Sequence, residues 1–254
     1  ALATGNTVVL KPAETTSLTA LLFAELCEQA GIPDGVVNII TGDGTTGSLI
    51  VNHKDINKIA FTGSTQVGKL IQKSLAGRDV GLTLELGGKA ANIVYEDAAI
   101  DQAVEGVVNG IFFNQGHVCC AGSRLLLQES IHDEFITKLE KRMQTLRVGN
   151  PLDKNTDIGA VNSKEQLNKI EELVNEGVSD GGKIFQTECE LPGNGFWFKP
   201  TLFTDVQPSY SIAREEIFGP VLTTLTFRTP QEAIEIANNT EYGLSACLLY
   251  TSDA

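Results

Sequence analysis

Two side chains carry the most chemical promise, one thiol and one carboxylate. Cys119 stands in Phe112-Phe113-Asn114-Gln115-Gly116-His117-Val118-Cys119-Cys120-Ala121-Gly122-Ser123-Arg124, a loop of small and polar residues between a helical pattern and a strand pattern. A free thiol, with a pKa of about 8.5, holds only a few per cent thiolate at neutral pH, so a nucleophilic cysteine needs a nearby base or a donor-rich loop. Taken alone, a cysteine in apolar company is more often an inert small hydrophobe. Glu85 lies in Leu82-Thr83-Leu84-Glu85-Leu86-Gly87-Gly88, a carboxylate in an apolar strand pattern with glycines directly behind it. Unpaired burial would be costly, so it is either a salt-bridge or edge residue or a functional group. Ligands bind at the carboxyl ends of strands in open α/β sheets, and a desolvated glutamate is tuned toward general-base work, which favours function.

Three further patterns could bind or react. The helix opening after Gly63 in Phe61-Thr62-Gly63-Ser64-Thr65-Gln66-Val67-Gly68 offers unpaired N–H groups, a positive dipole end and the Ser64 hydroxyl to a phosphate, although an ordinary capped helix reads the same way. Gly42-Asp43-Gly44-Thr45-Thr46-Gly47 fits the G-x-G-x-x-G dinucleotide fingerprint, but no acidic residue stands about 20 positions on, so these glycines read as a turn. His117, close to Cys119, invites a Cys-His dyad; a loop residue shaping a channel is the preferred reading.

These groups need a scaffold, and the chain supplies an α/β grammar of short β-branched runs alternating with helical periods, the mark of a mostly parallel sheet. Val8 to Leu10, Val36 to Ile40, Ile59 to Phe61, Leu82 to Leu86, Ile93-Val94, Leu125 to Leu127 and Ala246 to Tyr250 read as strands. Ser17 is expected to cap a helix with Leu18, Leu21, Leu22 and Leu26 on one face, ending before Gly31 and Pro33. A helix runs after Gly63 through Leu75, and another carries Val104, Val107, Val108 and Ile111. Ser130 is expected to cap a fourth helix bearing Phe135, Ile136, Leu139, Met143 and Leu146, with Phe135, Leu139 and Met143 as core, followed by a loop from Gly149 to Val161. A boundary near Gly87-Gly88 gives two domains, 1–87 and 88–254.

Composition narrows the function classes. The net charge of -13 opposes nucleic acid and anionic membrane surfaces, whose binding rests on Lys and Arg. No apolar run approaches the roughly 20 residues that span a bilayer, and no leader pattern opens the chain, so a cytoplasmic protein is expected. The five cysteines are odd in number and no C-x-x-C pair joins the three histidines, so neither a disulfide framework nor a metal site is expected. Both ends look cut, as in an internal fragment.

Lys11-Pro12-Ala13-Glu14, FTGSTQVG, LELGG, FNQGHVCCAGSR and Glu215-Glu216-Ile217-Phe218-Gly219-Pro220 together resemble the aldehyde dehydrogenase superfamily, in its order and spacing and over essentially the whole chain. The resemblance implies a Rossmann-like cofactor domain (1–87, its C-terminal part) followed by an incomplete α/β catalytic domain (88–254). It implies NAD(P)-dependent oxidation of an aldehyde to a carboxylic acid through a cysteine thiohemiacetal and thioester, with Cys119 as nucleophile and Glu85 as base, Cys120 being dispensable. It places Lys11 and Glu14 at the adenosine ribose, and Gly44 near the adenine. Gly63, Ser64, Thr65 and Gly68 fall at the pyrophosphate, Leu86 beside the cofactor, and Glu216 and Phe218 at the nicotinamide ribose and ring. Glu14 favours NAD over NADP. His117 departs from the glutamine more usual there. The resemblance further implies a homodimer or homotetramer, an oxyanion-hole asparagine ahead of Ala1, and an oligomerisation strand after Ala254. Two alternatives stay open: a CoA-acylating semialdehyde dehydrogenase, whose members usually lack the base held here by Glu85, and a non-catalytic scaffold with the same fold.

Overall fold

The computed structural model describes residues 1–250 and divides into two compact units, Ala1–Leu86 and a second from Gly87 onward. The fold is α/β with parallel sheets. In the first unit the order is β1 (Val8–Leu10), α1 (Ser17–Gln29), β2 (Val37–Ile39), α2 (Gly44–Asn52), β3 (Lys58–Thr62), α3 (Thr65–Leu75) and β4 (Gly81–Glu85). β1 pairs with β2 and β3 with β4, each in parallel. A parallel pair needs a crossover, and α1 and α3 supply it. Val51, Ile59, Ile71 and Leu75 form this unit's small core.

The leucine face of α1 exists but is not covered: Leu18, Leu21, Leu22 and Leu26 are all exposed. Ser17 does not cap this helix. It lies inside the first turn, where its hydroxyl donates back to the Ala13 carbonyl at 3.3 Å, and Thr16 precedes it without a side-chain cap.

The second unit runs β5 (Ala91–Val94), α4 (Ile100–Phe112), β6 (Arg124–Gln128), α5 (His132–Met143), α6 (Lys164–Ser179), β7 (Lys183–Gln186), β8 (Thr201–Thr204), α7 (Ser211–Arg214), β9 (Val221–Phe227), α8 (Pro230–Asn238) and β10 (Ala246–Leu249). Its sheet has the order β10-β5-β6-β9-β8-β7, parallel except for the antiparallel β7-β8 edge. Alternation sorts each strand's side chains to two faces. Leu125 and Leu127 join α4 and α5 in one cluster, while Leu126 joins Ala91, Ile93, Leu225 and Ala233 of α8 on the other. Phe135, Leu139 and Met143 are fully buried, as the helical spacing predicts; each such side chain is worth about 1.5–3 kcal/mol.

Ser130 also fails as a cap. α5 starts two residues later, at His132, after a 3-10 turn over Glu129–Ile131, and the Ser130 hydroxyl donates instead to Glu96 Oε2 at 2.7 Å. Among the described residues no helix is long and apolar enough to cross a membrane.

Candidate active site

In the first unit the candidate residues follow the carboxyl ends of the strands. Just past β1, Lys11 Nζ donates to the Gly42 carbonyl at 2.7 Å and to the Pro12 carbonyl at 2.9 Å, and its ammonium lies 4.0 Å from Glu14 Oε1. Lys11 is thus tied to the loop after β2, while the Glu14 side chain stays exposed. That loop is not the simple turn expected of its glycines. Asp43 Oδ1 accepts from the N–H groups of Thr45 and Thr46 at 2.9 and 3.3 Å, so Gly44 is the first residue of α2. These hydrogen bonds hold the Asp43 carboxyl below the ordinary carboxylate range. An acidic cap also occupies the helix end that an anion would otherwise use.

The end of α3 is built differently. Ser64 caps it by accepting from Val67 N–H at 3.3 Å. Serine is neutral, so the helix end keeps its positive dipole for an incoming phosphate. Thr65 opens the helix. Gly63 donates its N–H to the Glu85 carbonyl at 3.0 Å, which links the α3 start to the end of β4. The Phe61 ring fills the space a side chain at Gly63 would need, and the Leu86 side chain does the same at Gly68. Both glycines permit close packing.

Glu85 corrects one expectation. β4 alternates exposed and half-buried residues, so Glu85 shares the exposed face with Gly81 and Thr83 and is not desolvated within this chain. A period of two across a two-stranded sheet leaves one face open.

In the second unit the Cys119 loop converges with the loop before β9. α4 ends in a 3-10 turn, Phe113–Gly116, in which Asn114, Gln115 and Gly116 all take left-handed φ values of 49°, 45° and 74°. Gly116 is required there, because a Cβ would collide with the Gly219 carbonyl and Pro220. Gly88 is likewise closed by the Cys119 carbonyl, so its lack of a side chain lets the cysteine loop approach. Cys119 is half-buried and Cys120 exposed. Ala121 N–H donates to Val118 O at 2.9 Å across the turn that carries both thiols.

Glu216 sits against the same glycines. Its Oε1 accepts from Gly88 N–H at 3.0 Å, and its carboxylate occupies the place of a Gly87 side chain. Phe218 has φ 54°, rare for a bulky residue. Gln166 of α6 holds this loop by donating to the carbonyls of Ile217 and Phe218 at 2.8 and 3.0 Å. Gly88, Gly116, Val118, Ser123, Glu216 and Phe218 line a partly open crevice of about 10 Å³ beside the cysteine loop. A larger open concavity, about 810 Å³, runs along α6 among Glu171, Glu172, Glu176 and Asp180 and holds none of the candidate residues.

Sequence reasoning misses three residues of this region. Gln166 gives no signal, since its partners lie about fifty positions away. Arg124, 3% exposed, donates to the carbonyls of Lys89, Ile236 and Ala237, pinning the end of α8. Lys89, 2% exposed, has no hydrogen-bond partner for Nζ among the described residues. A lysine directly after Gly87-Gly88 and before an apolar run was the readable hint. Burial, helped by the neighbouring Arg124, pushes its pKa down to about 7.

That burial has a measurable cost. The unfolded lysine titrates at about 10.4, so between about pH 7 and pH 10 the unfolded chain binds more protons than the folded one. Stability therefore rises with pH across this window, by on the order of a few kcal/mol. Lys89→Met fills similar space without the buried amine. Urea melts at about pH 7 and about pH 9.5 should show the variant more stable at the lower pH and with a flatter profile; parallel profiles would contradict the assignment.

The family model described as Aldehyde dehydrogenase family matches residues 1–254. Retinal dehydrogenase 2 of Taeniopygia guttata is 50% identical over 100% of this chain and 49% of its own length. The mitochondrial aldehyde dehydrogenase of Homo sapiens is 47% identical over 100% of this chain and 49% of its own. The solved NAD+ complex of an aldehyde dehydrogenase from Bacillus cereus superposes with a TM-score of 0.95 at 42% identity, covering 99% of this chain and 52% of that one. The chain thus spans about half the length of the relatives it matches.

Proposed function

Because this chain belongs to the aldehyde dehydrogenase family, we propose that the protein carrying it oxidises an aldehyde to a carboxylic acid, with NAD as the hydride acceptor and Cys119 as the nucleophile. The observation that carries the reading is the convergence of the Cys119 loop, Gly88 and the Glu216 carboxylate within one unit.

The residues present fit the cofactor. The Ser64-capped start of α3 suits its pyrophosphate, with Gly63, Thr65, Gly68 and Leu86 shaping the approach, and Lys11, Glu14 and Gly44 suit the adenosine end. Glu216, anchored on Gly88 N–H, offers its second carboxylate oxygen to ribose hydroxyls, and Phe218 offers a ring face to the nicotinamide. Glu14 would meet a 2′-phosphate with like charge, which favours NAD over NADP. On this reading residues 1–87 contribute the cofactor domain and 88–254 the catalytic one.

The Cys119 thiolate adds to the carbonyl carbon and gives a thiohemiacetal alkoxide, the C=O electron pair moving to oxygen. As the alkoxide re-forms its C=O bond, the C–H bond breaks with hydride going to the NAD acceptor, which leaves a thioester on Cys119. Glu85 takes a proton from water, the hydroxide adds to the thioester carbonyl carbon, and the C–S bond breaks, which returns Cys119 as the thiolate and releases the carboxylic acid. Thiolate suits both ends because it attacks well and leaves well. A small-molecule aldehyde, a cytoplasmic setting and a homodimeric or homotetrameric assembly complete the proposal.

The test is NADH formation by the full-length protein over a panel of aliphatic and aromatic aldehydes, with NAD binding followed separately. Turnover on some members is expected. Binding of NAD without turnover on any aldehyde would replace the enzyme reading by the scaffold one, and turnover only with CoA present would replace hydrolysis by acyl transfer.

A further inference from the structure

Phe218 holds a left-handed backbone, φ 54°, that an aromatic residue adopts only when its surroundings over-determine it. Its main chain has clear constraints. Ile217 is buried, Gln166 donates to two successive carbonyls, and Gly219 is pressed against Gly116. None of these orients the ring.

The ring's neighbour is His117. The imidazole meets it edge-on, with centroids 5.1 Å apart and planes at 75°. His117 is itself fixed by the three left-handed residues before it, which fold the imidazole back until Nδ1 lies 3.2 Å from the Gln115 carbonyl. A carbonyl only accepts, so Nδ1 carries the hydrogen and Nε2 is a bare lone pair. Nε2 is buried with no hydrogen-bond partner among the described residues. Burial lowers the imidazole pKa, outweighing the opposing hydrogen-bond contributions of the Gln115 main chain and the Asn162 side chain, and so favours the neutral ring. Its ring packs edge-on against Phe218.

We infer that His117 is the positioning residue of Phe218, fixing the ring offered to the nicotinamide and tying it to the loop that carries Cys119 two residues on. This rests on Phe218 being the nicotinamide contact. Edge-to-face geometry depends on an aromatic partner, so another ring should serve and a small side chain should not.

The experiment compares His117→Ala and His117→Phe in the full-length protein. The alanine variant should lose roughly tenfold in kcat, since misplacing a reacting partner is felt in the chemical step, while its KM for aldehyde stays within about twofold. The phenylalanine variant should recover to within about threefold of wild type. Alkylation of Cys119 by iodoacetamide without NAD should proceed alike in all three, showing the thiol and fold intact. Crystal structures of both variants supply a readout independent of activity: the Phe218 ring should turn in the alanine variant and keep its orientation in the phenylalanine variant, with the left-handed main chain retained in both. Absence of aldehyde oxidation in wild type would sink the proposed function and leave this structural arm standing. An alanine variant with Phe218 unmoved would overturn the inference. So would a phenylalanine variant as slow as alanine with the ring in place, which would give the role to Nε2.

Discussion

Cys119→Ser should cut aldehyde oxidation by roughly 10⁴-fold or more, while Cys120→Ser stays within about twofold of wild type. A serine hydroxyl is far harder to ionise than a thiol, and an ester is a poorer intermediate to hydrolyse than a thioester. The contrast between neighbours follows from their settings. Cys119 sits on the convergent loop, half-buried, with its carbonyl filling the space beside Gly88. Cys120 is exposed, and its contact is made by the backbone: its carbonyl accepts from the Ser245 hydroxyl at 3.4 Å, which a substitution of the thiol leaves in place. Steady-state rates with matched NAD affinities check the pair, and equal losses in both variants would contradict the assignment.

Glu85→Gln should lower turnover by about 10²- to 10⁴-fold, the range expected when a general base is removed. The amide is isosteric, and the strand contact that places residue 85 uses its main-chain carbonyl, which accepts from Gly63 N–H. Folding should therefore be unaffected. If the base acts on the deacylating water, a rapid first equivalent of NADH per site should survive and only the following phase should slow. A variant within tenfold of wild type would remove Glu85 from the chemistry. Supplying a thiol such as CoA to that variant offers a second route off the thioester, and partial recovery of turnover would locate the defect at water attack.

Much of the scaffold was legible because short β-branched runs and helical spacings are local signals. The strand Val8–Leu10, the strands around Ile59, Leu82 and Leu125 to within one residue at each end, and the core face of α5 follow from periodicity alone. Errors cluster where a local rule competes with a distant partner. Ser130 looks like a cap, yet its hydroxyl is taken by Glu96, 34 positions earlier. Gly44 reads as a turn because the fingerprint lacks its later acid, although Asp43 before Thr45 and Thr46 is itself a capping signal. The antiparallel edge β7 is four residues long with no distinctive pattern. The apolar neighbours of Glu85 leave a desolvated base and an edge position both open, and the alternation Leu-Thr-Leu-Glu is the local signal that puts it on the open face. Within the candidate site the reacting types were legible and their supports were not. Gln166, Lys89 and Arg124 act through contacts that only the folded chain creates.

The most direct test of the central claim is to quench the full-length protein in acid during turnover of an aldehyde with NAD and map the modified peptide by mass spectrometry. A covalent thioester mechanism predicts an acyl group of the substrate's mass on Cys119, absent without NAD and enriched in Glu85→Gln. NADH formation with Cys119 unmodified under every quench, or with the acyl group on Cys120, would contradict it.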